Sequence, residues 1–252
     1  MNPVRLGDLK AILTLFLLGG LVSQFVIGCT ATESENVNTA AIFAKMTVEA
    51  FGGNSKVSTE LRVGGFSGTY LDLTSSDILT VTANGQTQSF SRNEDSLGEI
   101  NYISTFNFDH AGTEFVIALE RKGDAETLYS NVSLPETFEI THPLKNAVYR
   151  DDENLNLYWE PAGSGLEINI ILQTECEQGG NRQSAHYERI TTDQGHFTIP
   201  LSEASGELSL AGTCRTILKV SRLKKGSLDP NYGEGGSIVA KQTQSVNINI
   251  LP

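Results

Sequence analysis

Residues 78–90, ILTVTANGQTQSF, decide the fold class because they predict a β-hairpin. The dipeptide Asn84-Gly85 is the preferred two-residue type I′ turn, since both of its residues must adopt positive φ. Closing the hairpin there pairs Ala83 with Gln86 and sends alternate side chains to opposite faces. The side chains on the predicted core face are Leu79, Val81 and Phe90. The polar side chains between them face solvent.

The same alternation of apolar and polar residues recurs downstream of the hairpin. Its apolar positions are Ile100, Tyr102, Phe106, Phe108, Phe115, Ile117 and Leu119. Turn residues separate these strands at a spacing of about 8–12 residues, which is typical of a sandwich or barrel rather than an α/β fold. The only helix candidate, residues 40–48, continues into Thr47-Val48 and therefore favours a strand.

A second block of strands begins after Pro135, which is the best candidate for a domain boundary. Its predicted inward side chains are Leu155, Leu157, Trp159, Leu166, Ile168, Ile170 and Leu172. The sequence therefore predicts an all-β protein with two β-sandwich domains, residues 41–135 and 136–252.

The second block resembles an immunoglobulin-like or fibronectin type III-like domain. The resemblance is carried by residues 155–161, LNLYWEP, which match the early strand with its core tryptophan and the following proline. Trp159 precedes both downstream cysteines, whereas a cysteine precedes the tryptophan in true immunoglobulin domains. The resemblance implies an immunoglobulin-like architecture and no particular activity.

The whole layout also resembles a group of uncharacterised proteobacterial lipoproteins. The motifs that carry this resemblance lie at residues 81–85, 112–115, 133–135, 197–200, 228–230 and 235–237. No biochemical activity follows from it.

The N-terminal segment predicts a secretory signal. Arg5 and Lys10 give a weakly positive start, and residues 11–28 are almost wholly apolar or small. That run ends in Val26-Ile27-Gly28-Cys29, which resembles the bacterial lipobox. An uncleaved membrane anchor with an incidental cysteine is the alternative interpretation.

The lipobox resemblance implies a lipid anchor and an address in the cell envelope. Residues 1–28 would be a signal peptide cleaved after Gly28, and Cys29 would carry a diacylglycerol thioether and an amino-terminal acyl chain such as palmitate. Several acyl chains hold a protein stably on a bilayer, whereas one does so only marginally. Thr30 after the cysteine resembles the pattern of outer-membrane lipoproteins. Residues 29–40 are small and polar, and they predict a lipidated tether.

Charge and cysteine content narrow the possible partners. The 252 residues include 18 Lys+Arg and 30 Asp+Glu, a net charge of -12, which argues against a nucleic-acid partner. With Cys29 acylated, Cys176 and Cys214 remain, and an exported chain with two cysteines most simply forms one disulfide. Free thiols or a metal site are the alternatives.

The sequence predicts no catalytic residues, no cofactor and no metal site. The four histidines, His110, His142, His186 and His196, show no zinc-binding spacing. No G-x-S-x-G motif occurs; residues 65–68, GFSG, are one residue too short for the turn that carries a nucleophilic serine.

Three surface features remain open at this point. Residues 151–154, DDEN, predict a solvated acidic turn, with a calcium-binding loop as the alternative. Residues 228–237 predict a glycine-rich hairpin loop whose Tyr232 could be exposed for binding. Arg222, Lys224 and Lys225 beside it predict a small solvated basic cluster.

These observations predict a non-enzymatic lipoprotein of the bacterial envelope. We expect it to sit in the outer membrane, with the bilayer as one partner and an envelope protein or glycan as another. The alternatives are an envelope enzyme whose site is assembled from dispersed residues and a calcium-dependent adhesin-type module.

Overall fold

A computed structural model describes residues 31–178, 181–205 and 214–251, and from Ala31 onward these form one compact unit. The predicted signal peptide and Cys29 lie outside the described residues and stay predictions. Within the described ranges, the structure is built almost wholly from β-strands, and the all-β class predicted from the sequence is confirmed. No helix in these ranges is long and apolar enough to cross a membrane.

The described residues before Pro135 form ten strands. They are β1 Thr32–Glu33, β2 Ile42–Phe51, β3 Asn54–Val63, β4 Thr69–Asp72, β5 Ile78–Ala83, β6 Gln86–Ser89, β7 Ser91–Glu94, β8 Ile100–Phe106, β9 Glu114–Glu120 and β10 Leu128–Ser133. Two 3₁₀ turns, Ser34–Asn36 and Thr39–Ala41, lie between β1 and β2.

The described residues after Pro135 form eight strands and one short helix. They are β11 Glu139–His142, β12 Val148–Arg150, β13 Asn154–Glu160, β14 Glu167–Gln178, β15 Asn181–Thr192, β16 His196–Pro200, helix α1 Leu201–Ser205, β17 Cys214–Lys225 and β18 Gly236–Leu251.

The predicted hairpin forms in the predicted register. β5 and β6 pair Ala83 with Gln86, and Asn84 and Gly85 have φ of 48° and 73°. Leu79 and Val81 are buried, and the backbone N–H of Phe90 donates to Leu79 O at 3.3 Å. Positive φ at both turn residues is what a type I′ turn requires, so the local sequence alone determines this element.

One long sheet serves as a layer in two sandwiches. Its strand order is β1-β4-β3-β2-β18-β17-β14-β15, with β8 and β12 also paired to β3 and β18, and β7 to β8. In the first sandwich, the four-stranded sheet β10-β9-β5-β6 packs against this sheet over a core that contains Val48, Val81, Phe106 and Phe115. Burying such a core supplies most of the favourable free energy of folding.

The second sandwich has the predicted immunoglobulin-like layout. The three-stranded sheet β11-β13-β16 carries Trp159 into a core shared with β14, β17 and β18. Cys176 and Cys214 lie opposite each other on β14 and β17 and form the predicted disulfide. This bond joins two neighbouring strands of one sheet, whereas the bridge of antibody domains joins the two sheets.

Strand β18 connects the two sandwiches. Its residues 236–242 pair in parallel with β2, and Ile238 and Ala240 lie in the first core. Its later residues Ile248 and Ile250 lie in the second core. The predicted second domain, residues 136–252, therefore includes a segment that completes the first sandwich, because one long strand can cross both cores.

The N-terminal segment differs from the free tether that the sequence predicted. β1 pairs in parallel with β4, and Ser34 is fully buried. Arg121 donates hydrogen bonds to the backbone oxygens of Ser34 and Val37 at 2.6 and 2.7 Å. Small polar residues are compatible with a flexible linker, but here oxygens of this segment accept hydrogen bonds from a buried arginine and so dock the segment onto the first sandwich.

Candidate binding surface

A buried ion pair supports the small sheet of the second sandwich from behind. Arg222 is 1% exposed, and its Nη2 lies 2.9 Å from Asp193 Oδ2. The same guanidinium donates to the backbone oxygens of Glu136 and Pro161 at 2.9 and 2.6 Å and covers the ring of Phe138. Burying an unpaired charge is very costly, so these contacts hold the segment after Pro135 firmly to β17.

Asp193 connects this pair to the core tryptophan. Its carboxylate accepts a hydrogen bond from the Trp159 indole N–H at 2.6 Å and others from the backbone N–H and hydroxyl of Ser164. Burial alone raises the pKa of Asp193, but the hydrogen bonds from Ser164 and Trp159 and the charge of Arg222 outweigh it. The pKa of this carboxyl therefore lies below its usual range.

The frame formed by Arg222, Asp193 and Trp159 positions the strand residues on the opposite, solvent-facing side. The Trp159 backbone N–H donates to Gly195 O at 3.0 Å, which fixes the start of β16 against β13. Because side chains alternate along a strand, burying Trp159 turns its neighbour Tyr158 outward. Tyr158 is 48% exposed.

Three rings lie in a row across this exposed face. Tyr158 pairs with His142 on β11 and with His196 on β16. The ring centroids are 6.2 Å apart for His142 and Tyr158 and 6.4 Å apart for Tyr158 and His196, the latter pair stacked. The Nε2 of His142 also lies 3.2 Å from the hydroxyl of Tyr149. We call His142, Tyr158 and His196 the ring row.

Polar groups flank the ring row on both sides. On one side, the Thr198 hydroxyl donates to Asn156 Oδ1 at 3.0 Å, and both side chains are exposed. On the other, Glu139 and Glu160 are directly opposite each other and border a hollow of about 780 Å³. Like charges in opposite positions destabilise a sheet, so this carboxylate pair adds nothing to the fold's stability.

A second hollow, of about 900 Å³, lies on the outer face of the long sheet. Its lining includes Gln173, Glu175, His186, Arg215, Asn247 and Asn249. Amide and charged side chains of this kind hydrogen-bond to polar ligands, but the lining contains no Phe, Tyr or Trp side chain. It therefore lacks the large apolar contacts that dominate most binding energies.

Several predicted surface features occupy other places than expected. Tyr232 is buried in the first core, where burial raises its pKa, so the expectation that it is exposed is wrong. Arg222 is not part of a solvated cluster. Its position on β17 has the same parity as the buried residues Cys214, Thr216, Leu218 and Val220, and this parity could have identified it.

Among the described residues, the acidic turn and the histidines do not come together as a metal site. Asp152 lies 3.7 Å from Arg150, and the carboxylate of Glu153 accepts the Arg150 backbone N–H. Within the described ranges, no group of three or more His, Cys, Asp or Glu side chains could hold a metal ion. The His186–Glu188 contact, at 3.7 Å, joins two half-exposed side chains on the outer face of β15.

Comparison with known proteins gives no family. The sequence matches no family model and no curated protein. Among solved structures, the adhesin InvE of Yersinia pseudotuberculosis aligns with 84% of this chain and 59% of its own, at 13% identity and a TM-score of 0.23. The fibronectin(III)-like modules of CbhA from Clostridium thermocellum align with 83% of this chain and 90% of their own, at 12% identity and a TM-score of 0.22.

The chain thus spans less than two thirds of the adhesin's length. At these TM-scores neither likeness carries an argument about this protein.

The buried ion pair predicts a pH-dependent loss of stability in Asp193→Asn. At neutral pH the variant should lose about 3–5 kcal/mol of unfolding free energy, because the charge of Arg222 stays buried without its partner. The stabilising effect of a carboxylate with a lowered pKa is present above its unfolded value of about 3.9 and is lost as the pH falls below it. The difference from the wild type should therefore be constant down to about pH 4 and shrink below it.

Chemical unfolding followed by the emission of Trp159, the only tryptophan, measures this difference at each pH. Asp152→Asn is the matched control, because it removes an exposed carboxylate that also lies near an arginine, and surface pairs contribute little. An Asp193→Asn variant as stable as the control, or a difference that grows in acid, would contradict the role assigned to the pair.

Proposed function

We propose that this protein is a lipid-anchored, non-enzymatic module of the bacterial envelope that binds a glycan through the ring row. The observation that carries the proposal is the alignment of His142, Tyr158 and His196 across an exposed sheet face that a buried ion pair holds in place. An exposed aromatic ring such as that of Tyr158 provides apolar area with one polar end, as in many binding sites.

The chemistry of the face fits a sugar better than other ligands. The apolar C–H face of a pyranose packs on an aromatic ring, and its hydroxyls can donate to the carboxylates of Glu139 and Glu160 or bond to Asn156 and Thr198. The net charge of -12 disfavours nucleic acids and other polyanions. A neutral oligosaccharide is therefore the expected ligand.

The anchor is proposed from the sequence. The lipobox-like residues 26–29 support acylation of Cys29, and two or more acyl chains would hold the protein on the bilayer without a spanning helix. An outer-membrane location is part of the same proposal and rests on Thr30.

Replacing Cys29 tests the anchor. In bacteria fed with labelled palmitate, the wild type should incorporate label and sediment with membranes, because Cys29 is the only proposed lipidation site. Cys29→Ala should lose both properties, whereas Thr30→Ala, the adjacent control, should keep them. Label in Cys29→Ala, or none in the wild type, would show that the lipobox resemblance is misleading.

Replacing Tyr158 tests the binding face. Calorimetric titration with soluble oligomers of N-acetylglucosamine, glucose and mannose should reveal a ligand for the wild type. Tyr158→Ala should bind it at least about tenfold more weakly, because stacking on one aromatic ring contributes roughly 1–3 kcal/mol.

Tyr129→Ala is the matched control, since Tyr129 is 60% exposed on β10 in the other sandwich. Equal affinities of Tyr158→Ala and Tyr129→Ala for the sugar would show that the ring row is not the binding site. The absence of binding to every neutral oligomer would refute the glycan proposal itself.

A further inference from the structure

We propose that the turn at residues 64–68, with Phe66 at its tip, is the part of the folded protein that contacts the lipid bilayer. This inference rests on the proposed acylation of Cys29 and goes beyond it, because it specifies which end of the molecule faces the membrane. The occupant of the surface is thus a bilayer of phospholipid.

The described chain is held firmly against the first sandwich from Ala31 onward. Arg121, buried under the N-terminal segment, donates to the oxygens of Ser34 and Val37 and to the Thr39 hydroxyl. Ala31 packs against the first core. In the sequence only Thr30 separates Ala31 from Cys29, so the described fold begins two residues after the proposed acylation site.

β1 gives the direction of the chain near its first described residue. β1 runs parallel to β4, and the hydroxyls of Thr32 and Thr69 are 3.1 Å apart. Cys29 and Phe66 each precede this contact by three residues. Because β1 and β4 are parallel, both strands start at the same end of the sheet, and the three residues from Phe66 to Thr69 span at most about 10 Å. The Phe66 turn therefore lies at the end of the sheet where the described chain begins.

Phe66 is largely exposed to solvent. Its side chain is 70% exposed, and its ring meets the ring of Phe43 edge-on, with centroids 6.0 Å apart. The turn itself is tight, because the Gly68 N–H donates to Gly65 O at 3.0 Å and a Cβ on Gly68 would lie 1.9 Å from Val63 O. A tight turn holds the aromatic side chain away from the core. This is the position that a side chain inserted into lipid would need.

The second sandwich lies toward the opposite end of the long sheet from the Phe66 turn. Phe51, at the other end of β2 from Phe43, is 50% exposed and about 26 Å away at roughly 3.3 Å per strand residue. Because β18 is parallel to β2 and continues past that end into the second core, the second sandwich extends away from the Phe66 turn. The proposed orientation therefore directs the second sandwich, with the ring row, away from the bilayer.

Tryptophan scanning on the acylated, full-length protein tests the orientation. Phe66→Trp and Phe51→Trp are each reconstituted into phosphatidylcholine vesicles with and without brominated acyl chains. The tryptophan at position 66 should shift to the blue and lose roughly half of its emission to bromine, because interfacial side chains lie ~5–10 Å deep. The tryptophan at position 51 should keep its emission, and buried Trp159 supplies a constant background.

Equal emission of the two variants with and without bromine, on protein that floats with the vesicles, would overturn the orientation and leave the acylation intact. If the wild type neither incorporates palmitate nor floats, the proposed anchor fails and this inference fails with it. Ser67→Trp, an exposed position in the same turn, provides the same reading if Phe66→Trp disturbs the fold.

Discussion

The buried ion pair of Arg222 and Asp193 is the contact on which the second sandwich depends. It draws together the segment after Pro135, the tryptophan strand β13, the residues before β16 and the last third of β17. Replacing such a pair with apolar residues can leave stability unchanged, but removing one partner is strongly destabilising. The pair therefore specifies one arrangement of these four segments, and that arrangement presents Tyr158 between two histidines.

Strand β18 likewise constrains several other elements. A strand that contributes Ile238 and Ala240 to one core and Ile248 and Ile250 to the other cannot shift in one sandwich without shifting in the other. In the proposed arrangement this continuity matters for function. It makes a single body of the Phe66 turn and the ring row, so that the binding face would be held at a defined distance from the membrane.

Local pattern was enough to predict many of the strands, the type I′ turn at Asn84-Gly85 and the immunoglobulin-like position of Trp159, but it did not assign β3 or β15. The disulfide was predictable from the count of cysteines. The ring row was not, because the bulge between Ile140 and His142 and the registers of β11, β13 and β16 bring its members together, and register between distant strands is set by tertiary packing. Tyr232 was mistaken for an exposed loop residue because a loop can also close over a core.

The central claim is that a preformed row of three rings binds a sugar. Aromatic carbon-13 NMR of the wild-type protein during titration with a neutral oligosaccharide tests it most directly, since each ring reports its own surroundings. We predict that the resonances of His142, Tyr158 and His196 move together and yield one dissociation constant. Shifts confined to His186 in the hollow of the long sheet, or no shifts at saturating sugar, would contradict the account.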